Sequence, residues 1–184
     1  MWWCDMRRAR AVVMLIAALA LAACGFTPMY GARDDGTSIA VDLGSIAVEP
    51  ITEAGRPYRL GQLLENELAN RFYQGGVQAV RYRLELDLER TREGFAFRPD
   101  EAVTRVGLRL DAHYRLIDTA DESIVLEDRA QAYNSFDVIQ SDYATLSAEQ
   151  DMEARLVRDL GQRITHRLSR YFGQRTSERG AATP

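Results

Sequence analysis

Lysine is absent from this chain: all 23 basic residues are arginine. Arginine suits bidentate contact with phosphate and carboxylate, so an anionic lipid is an admissible partner. Cysteine is almost as scarce, with only Cys4 and Cys24. That excludes a disulfide framework and any cysteine-rich zinc site. The two histidines, His113 and His166, stand far apart with no HExxH spacing around them. No Gly-x-Ser-x-Gly elbow, CxxC pair or Gly-rich phosphate loop occurs, so the chain carries no catalytic signature. We therefore expect a non-enzyme with no catalytic residue, no metal and no cofactor. Positive charge is also in deficit, with a net of −4, which argues against general nucleic-acid binding. No apolar run is long enough to cross a bilayer as a helix, which takes roughly 20 residues; the longest is Ala11–Leu21.

That short run is nevertheless the most informative segment. Arg7, Arg8 and Arg10 precede it, and small residues follow, the pattern of an export signal. Met6-Arg7-Arg8 makes Met6 a better start than Met1. The stretch Leu21-Ala22-Ala23-Cys24-Gly25 resembles the lipobox of bacterial lipoproteins. The resemblance implies cleavage before Cys24, a diacylglycerol on its thiol and acylation of the new amino end. Cys4 would leave with the signal. The first 23 residues carry three Arg and one Asp, a net of +2, which leaves −6 for the remainder. Gly25-Phe26 after the cysteine, in place of Asp, resembles outer-membrane sorting.

The expected organisation is a lipoprotein signal over 1–23, the lipidated Cys24 with a Gly- and Asp-rich tether over 24–40, one α/β domain over 41–172, and a frayed tail over 173–184. Alternation of Ile46 and Val48 predicts a short strand within Gly44–Pro50. Leu60, Leu64, Leu68 and Phe72 recur every four residues, predicting a helix over Pro57–Tyr73 that Gly75-Gly76 stops. Over Arg81–Arg90 the pattern becomes strict alternation. Tyr82, Leu84, Leu86 and Leu88 share one face, and Arg83, Glu85, Asp87 and Glu89 the other.

Thr104–Asp118 repeats this pattern, with Val106, Leu108, Leu110, Ala112, Tyr114 and Leu116 inward. Arg105, Arg109, Asp111, His113 and Arg115 point outward. Ser123–Phe136 is a third such strand whose poorer phase, Asp128 after Ile124 and Leu126, hints at a bulge. Thr91–Val103 and Thr119–Glu122 read as hairpin connections. Leu156, Leu160, Ile164, Leu168 and Phe172 predict a final helix over Tyr143–Phe172, with Ser147 and Gln150 resembling a capping box. The fold class is α+β: a two-layer sandwich in the order β-α-β-β-β-α, its four-stranded sheet mostly antiparallel and both helices on one face.

This order behind a lipobox resembles the LPS-assembly lipoprotein family, LptE. The resemblance is carried by Cys24-Gly25-Phe26-Thr27-Pro28-Met29-Tyr30-Gly31, by the Arg-x-Tyr-x-Leu-x-Leu strand at Arg81, by Thr104-Arg105-Val106, and by Ser141-Asp142-Tyr143-Ala144-Thr145-Leu146. It implies a lipid-anchored protein of the cell outer membrane that plugs the barrel LptD, supports its assembly and helps deliver lipopolysaccharide to the surface. Partners so implied are LptD, lipopolysaccharide and the membrane through the Cys24 lipid; nucleic acid is not among them. The family carries a basic residue between its second and third strands, and Arg98 falls there, with Arg92 and Arg105 near it as candidate lipopolysaccharide contacts. A second basic position before the last helix has no counterpart, since Ser141–Gln150 holds no Arg. An alternative reading is the auxiliary lipoprotein of an ABC-type lipid transporter.

Overall fold

The structure is a computed structural model and describes residues 38–53, 56–97, 103–138 and 141–181. The signal, Cys24, most of the tether and Arg98 lie outside these residues.

The chain enters through a short helix, α1 (Ile39–Gly44), whose Ser38 side chain accepts a hydrogen bond from the Val41 amide. Ile39 and Leu43 are buried. Part of the expected tether therefore belongs to the fold. Two apolar anchors in six residues are too few to show a period. Strand β1 (Ile46–Val48) follows, then a small antiparallel pair, β2 (Thr52–Glu53) and β3 (Arg56–Pro57).

Helix α2 (Arg59–Phe72) buries the predicted stripe of Leu60, Leu64, Leu68 and Phe72. Pro57 stands two residues before it, in β3. A 3-10 turn over Tyr73–Gly75 closes the helix, and Gly76 takes φ +88°, a backbone region open to glycine at little cost. The crossover from β1 through α2 allows β1 to pair parallel with the start of β4, Ile46 opposite Tyr82.

Strands β4 (Tyr82–Phe97), β5 (Val103–Asp118) and β6 (Ser123–Asp137) form an antiparallel meander, and the sheet order is β1-β4-β5-β6. The first hairpin is longer than expected. Thr91–Phe97 continues β4, which pairs with β5 as far as Phe97 opposite Val103, through register shifts on either side of Ala96. The bulge in β6 exists but sits earlier than Asp128. Leu116 faces Leu126 and Ile117 faces Ile124, so Val125 is the extra residue. Asp128 keeps the inward phase, opposite Tyr114.

The final helix, α3 (Asp142–Ala181), begins a turn before the predicted capping box. Ser141 caps it, its hydroxyl accepting from the Ala144 amide at 3.4 Å and its carbonyl accepting from the Thr145 amide at 3.0 Å. Ser147 lies inside the helix. At the other end, the expected frayed tail from Gly173 is helical through Ala181.

The α2 and α3 stripes and the inward sheet residues make one core, from Leu64, Leu84, Leu108 and Leu110 to Leu160, Ile164 and Leu168. Two tyrosines lock the layers. Tyr73 donates to the Ile46 carbonyl at 3.1 Å, and Tyr58 to the Leu88 carbonyl at 3.2 Å.

Candidate functional site

Two charged surfaces flank this core, and strand alternation sorts them. On the sheet face turned away from α2 and α3, which no described element covers, cross-strand neighbours form rows. Glu85, Arg115 and Glu127 make one row; Asp87, His113 and Arg129 the next; then Glu89, Asp111 and Gln131; then Thr91, Arg109 and Tyr133. Within the rows Arg115 forms an ion pair with Glu85 at 2.8 Å. The neutral Gln131 amide donates at 2.8 Å to Asp111, which also stands opposite the like charge of Glu89. Near one end of the sheet, Arg83 donates to Glu122 at 2.7 Å. Toward the other, Arg105 donates to Asp137 at 2.7 Å. That bond from Arg105 holds the Asp137 carboxyl below its usual range and raises Arg105 in turn. A shallow depression of about 780 Å³ runs over this face, lined by Glu85, Asp87, His113, Arg115 and Arg129 among others.

The second surface runs along the seam between the sheet and α3. Arg90 and Asp128 occupy positions where the alternation calls for apolar residues, and each meets a charge on α3. Arg90 donates to Glu153 at 2.7 Å, and Arg59, at the start of α2, donates to the other oxygen of the same carboxylate. Glu149 extends the chain of charges to Arg90 at 3.7 Å and Arg92 at 3.6 Å. Asp128 accepts from Arg167. Sequence reasoning missed this network, although the signal was present: a charge in the apolar phase of a strand marks an ion pair to the covering helix. Beside it opens a cleft of about 620 Å³, lined by Tyr58, Arg59, Asp87, Glu89, Arg90 and Glu153. Every cation in that cleft already faces a carboxylate.

The structure separates two of the arginines grouped by sequence. Arg92 stands opposite Leu108 on the face toward α3, paired with Glu149. Arg105 stands on the outer face, paired with Asp137. A single ligand group on one face therefore does not meet both. Arg98 and Cys24 lie outside the described residues. His113 and His166 are both exposed. Among the described residues, no three His, Cys, Asp or Glu side chains gather as metal ligands, and no helix is long and apolar enough to cross a membrane.

The fold defines the class: a two-layer α+β domain whose sheet turns a charged face away from its two helices. The particular family follows from comparison: residues 43–168 match the model of the LptE family, described as lipopolysaccharide-assembly. That covers more than half of the chain, and the chain belongs to the LptE family, a family of non-enzymatic, cofactor-free lipoproteins. Solved structures share the fold. A lipoprotein candidate from Caulobacter crescentus CB15 superposes with a TM-score of 0.60 at 24% identity, over 74% of this chain and 96% of that one. Lipoprotein B from Nitrosomonas europaea, described as uncharacterized, gives 0.50 at 16% identity, over 70% and 82%. At these identities the likeness concerns fold alone. No curated protein matches the sequence.

Proposed function

We propose that this lipopolysaccharide-assembly protein is an outer-membrane lipoprotein, anchored through Cys24, that plugs an LptD-type barrel and supports its assembly. The observation that carries the reading is the family match over residues 43–168. The outer sheet face gives it a physical surface. A large barrel has a polar lumen, and rows of charged residues suit contact with such a wall better than an apolar face would. The protein performs no catalysis in this reading; it holds a channel in shape and offers cations to lipid phosphates.

Arg98, in the β4–β5 connection, is the proposed phosphate contact, and Arg105 the nearest candidate on the outer face. Arg105 must exchange Asp137 for the phosphate, whereas Arg92 is held on the opposite face by Glu149. Arg98→Asp is expected to weaken lipopolysaccharide binding with thermal melting unchanged; equal binding removes Arg98 from the site.

The deciding experiment is a detergent pull-down of the tagged, lipidated protein from its native envelope, with partners identified by mass spectrometry. A stoichiometric outer-membrane barrel of the LptD type supports the plug. An ABC-transporter assembly in its place overturns the plug and the outer-membrane assignment together.

A further inference from the structure

Strand β1 stops at Val48, while its neighbour β4 runs on to Phe97. Where the two pair, the Tyr82 amide donates to the Ser45 carbonyl at 3.1 Å, and the Leu84 carbonyl accepts from the Glu49 amide at 2.9 Å. Even-numbered residues of β4 therefore turn their peptide groups toward β1, and odd-numbered ones toward β5. Beyond Glu49 the chain is diverted. Pro50 has no amide to give, and the Ile51 amide donates to Glu65 on α2 at 2.6 Å. Over residues 86–92, about 20 Å of strand, the edge of β4 is thus left without a neighbour. Among the described residues, the edge-facing peptide groups of Leu86, Leu88, Arg90 and Arg92 have one partner, the Tyr58 hydroxyl on the Leu88 carbonyl. That carbonyl keeps a second lone pair.

The other edge of the sheet, β6, is guarded. Since β5 gives its odd-numbered residues to β4 and its even-numbered ones to β6, the register leaves the odd-numbered amides of β6 facing outward. Two of these donors are taken locally: Asp128 accepts from the Arg129 amide and Asn134 from the Ser135 amide, each at 2.8 Å. Such bonds compete with strand pairing. The β4 edge carries no such guard among the described residues, and it opens into the cleft of about 620 Å³ whose lining includes Tyr58, Leu60 and residues 87–90. Charge at this edge is left over on one side. Arg59 and Arg90 are taken by Glu153, and Arg92 by Glu149. Asp87 and Glu89, both exposed on the outer lip, have no ion-pair partner among the described residues, and Glu89 faces Asp111 besides. On the inner side Leu86 and Leu88 lie half-buried against the core.

We infer that the open edge of β4 over residues 86–92 takes up an extended segment of a partner polypeptide, basic at alternate positions and apolar between them. The backbone of that segment continues the ladder that β1 begins, main-chain hydrogen bonds supplying the affinity. Its basic side chains stand beside Asp87 and Glu89 on the outer face, and its apolar ones beside Leu86 and Leu88 on the inner face. The occupant is thus defined by two independent features, a row of unused peptide groups and a pair of unmatched carboxylates.

The test uses the full chain, isolated in detergent, and a synthetic Arg-Val-Arg-Val-Arg-Val-Arg peptide with both ends blocked. Hydrogen exchange followed by NMR reads the backbone. The expected result is slowed exchange at the amides of Leu86, Leu88 and Arg90 once peptide is added, while those of Asp87 and Glu89, already turned to β5, stay as they were. A twin peptide N-methylated throughout keeps the charge, but its methyl groups bar close approach, and it is expected to leave all of these amides unchanged. The double variant D87R/E89R, both substitutions at exposed sites, is expected to keep its melting temperature and lose affinity for the peptide, read by fluorescence anisotropy. Absence of peptide binding, or binding that leaves Leu86, Leu88 and Arg90 exchanging as before, overturns the strand site. So does slowing confined to the β6 amides of Gln131 and Tyr133, and so does equal binding of the N-methylated twin. Equal affinity of the variant overturns the basic occupant. Slowing that is present without peptide and rises with protein concentration assigns the edge to a second copy of this chain and overturns the partner segment.

Discussion

Glu153 shows how one residue joins three elements. Its carboxylate is buried, its side chain only 7% exposed, and it accepts from Arg59 and Arg90. A buried charge persists where its partners offset the loss of water. Both guanidiniums remain half exposed, so they regain solvent once the carboxylate is removed. We therefore expect Glu153→Ala to cost about 1–2 kcal/mol, below the cost of stranding a fully buried ion, measured by urea unfolding against wild type. Tyr114 makes a second case. It lies buried in the core facing Asp128, and burial first, with Asp128 second, pushes its hydroxyl up to about 12. A raised value means that the folded state keeps its proton longer than the unfolded chain. The stabilisation is whole below the ordinary value of 10.0 and is lost as pH rises from there toward 12. Ultraviolet titration should show one tyrosine ionising last in that window. Tyr114→Phe, which has no proton to lose, should flatten the fall of stability across it.

At the scale of elements, glycines decide where helices meet. A Cβ on Gly61 would stand 2.4 Å from the Ile51 carbonyl oxygen, and that oxygen belongs to backbone. Gly61→Ala gains about 1 kcal/mol in helix propensity, yet we expect a net loss of stability and a lower melting temperature, because α2 must move off the segment before β2. A rise in melting temperature would refute this close approach. Leu160, fully buried on α3, should lose about 2–5 kcal/mol on truncation to Ala, read by denaturant unfolding.

Elements of strict period were legible in the sequence for the same reason that they are stable. The stripe from Leu156 to Phe172 and the alternation from Val106 to Leu116 repeat an apolar position at each turn or every second residue, and the packed layer answers each of them. What stayed hidden lacked a repeat. Helix α1 has two anchors. The extension of β4 past Arg90 depends on β5 lying beside it, which local sequence does not encode. The α3 start at Asp142 falls one residue from the predicted Tyr143, but the cap is made by Ser141, whose role the Ser147–Gln150 pair mimics in sequence. Of the candidate site, the outward rows were readable from alternation, but the division of Arg92 from Arg105 required the register between strands.

For the whole molecule, the proposed anchor sets a localisation test. Cys24→Ala should abolish lipid labelling and release the chain from envelope membranes on fractionation; unchanged labelling would remove Cys24 from the modification. The same anchor gives β1 a mechanical meaning. Load applied from the N-terminal side enters the described fold through α1 and then a strand of three residues, Ile46–Val48, held to β4 by a parallel ladder of three pairs. The meander beyond it is stitched by fifteen pairs between β4 and β5 and fourteen between β5 and β6. A pull on the tether therefore peels the short edge first and leaves the meander whole. With Cys24 lipidated as proposed, this three-residue edge is expected to yield before the core bears any tension.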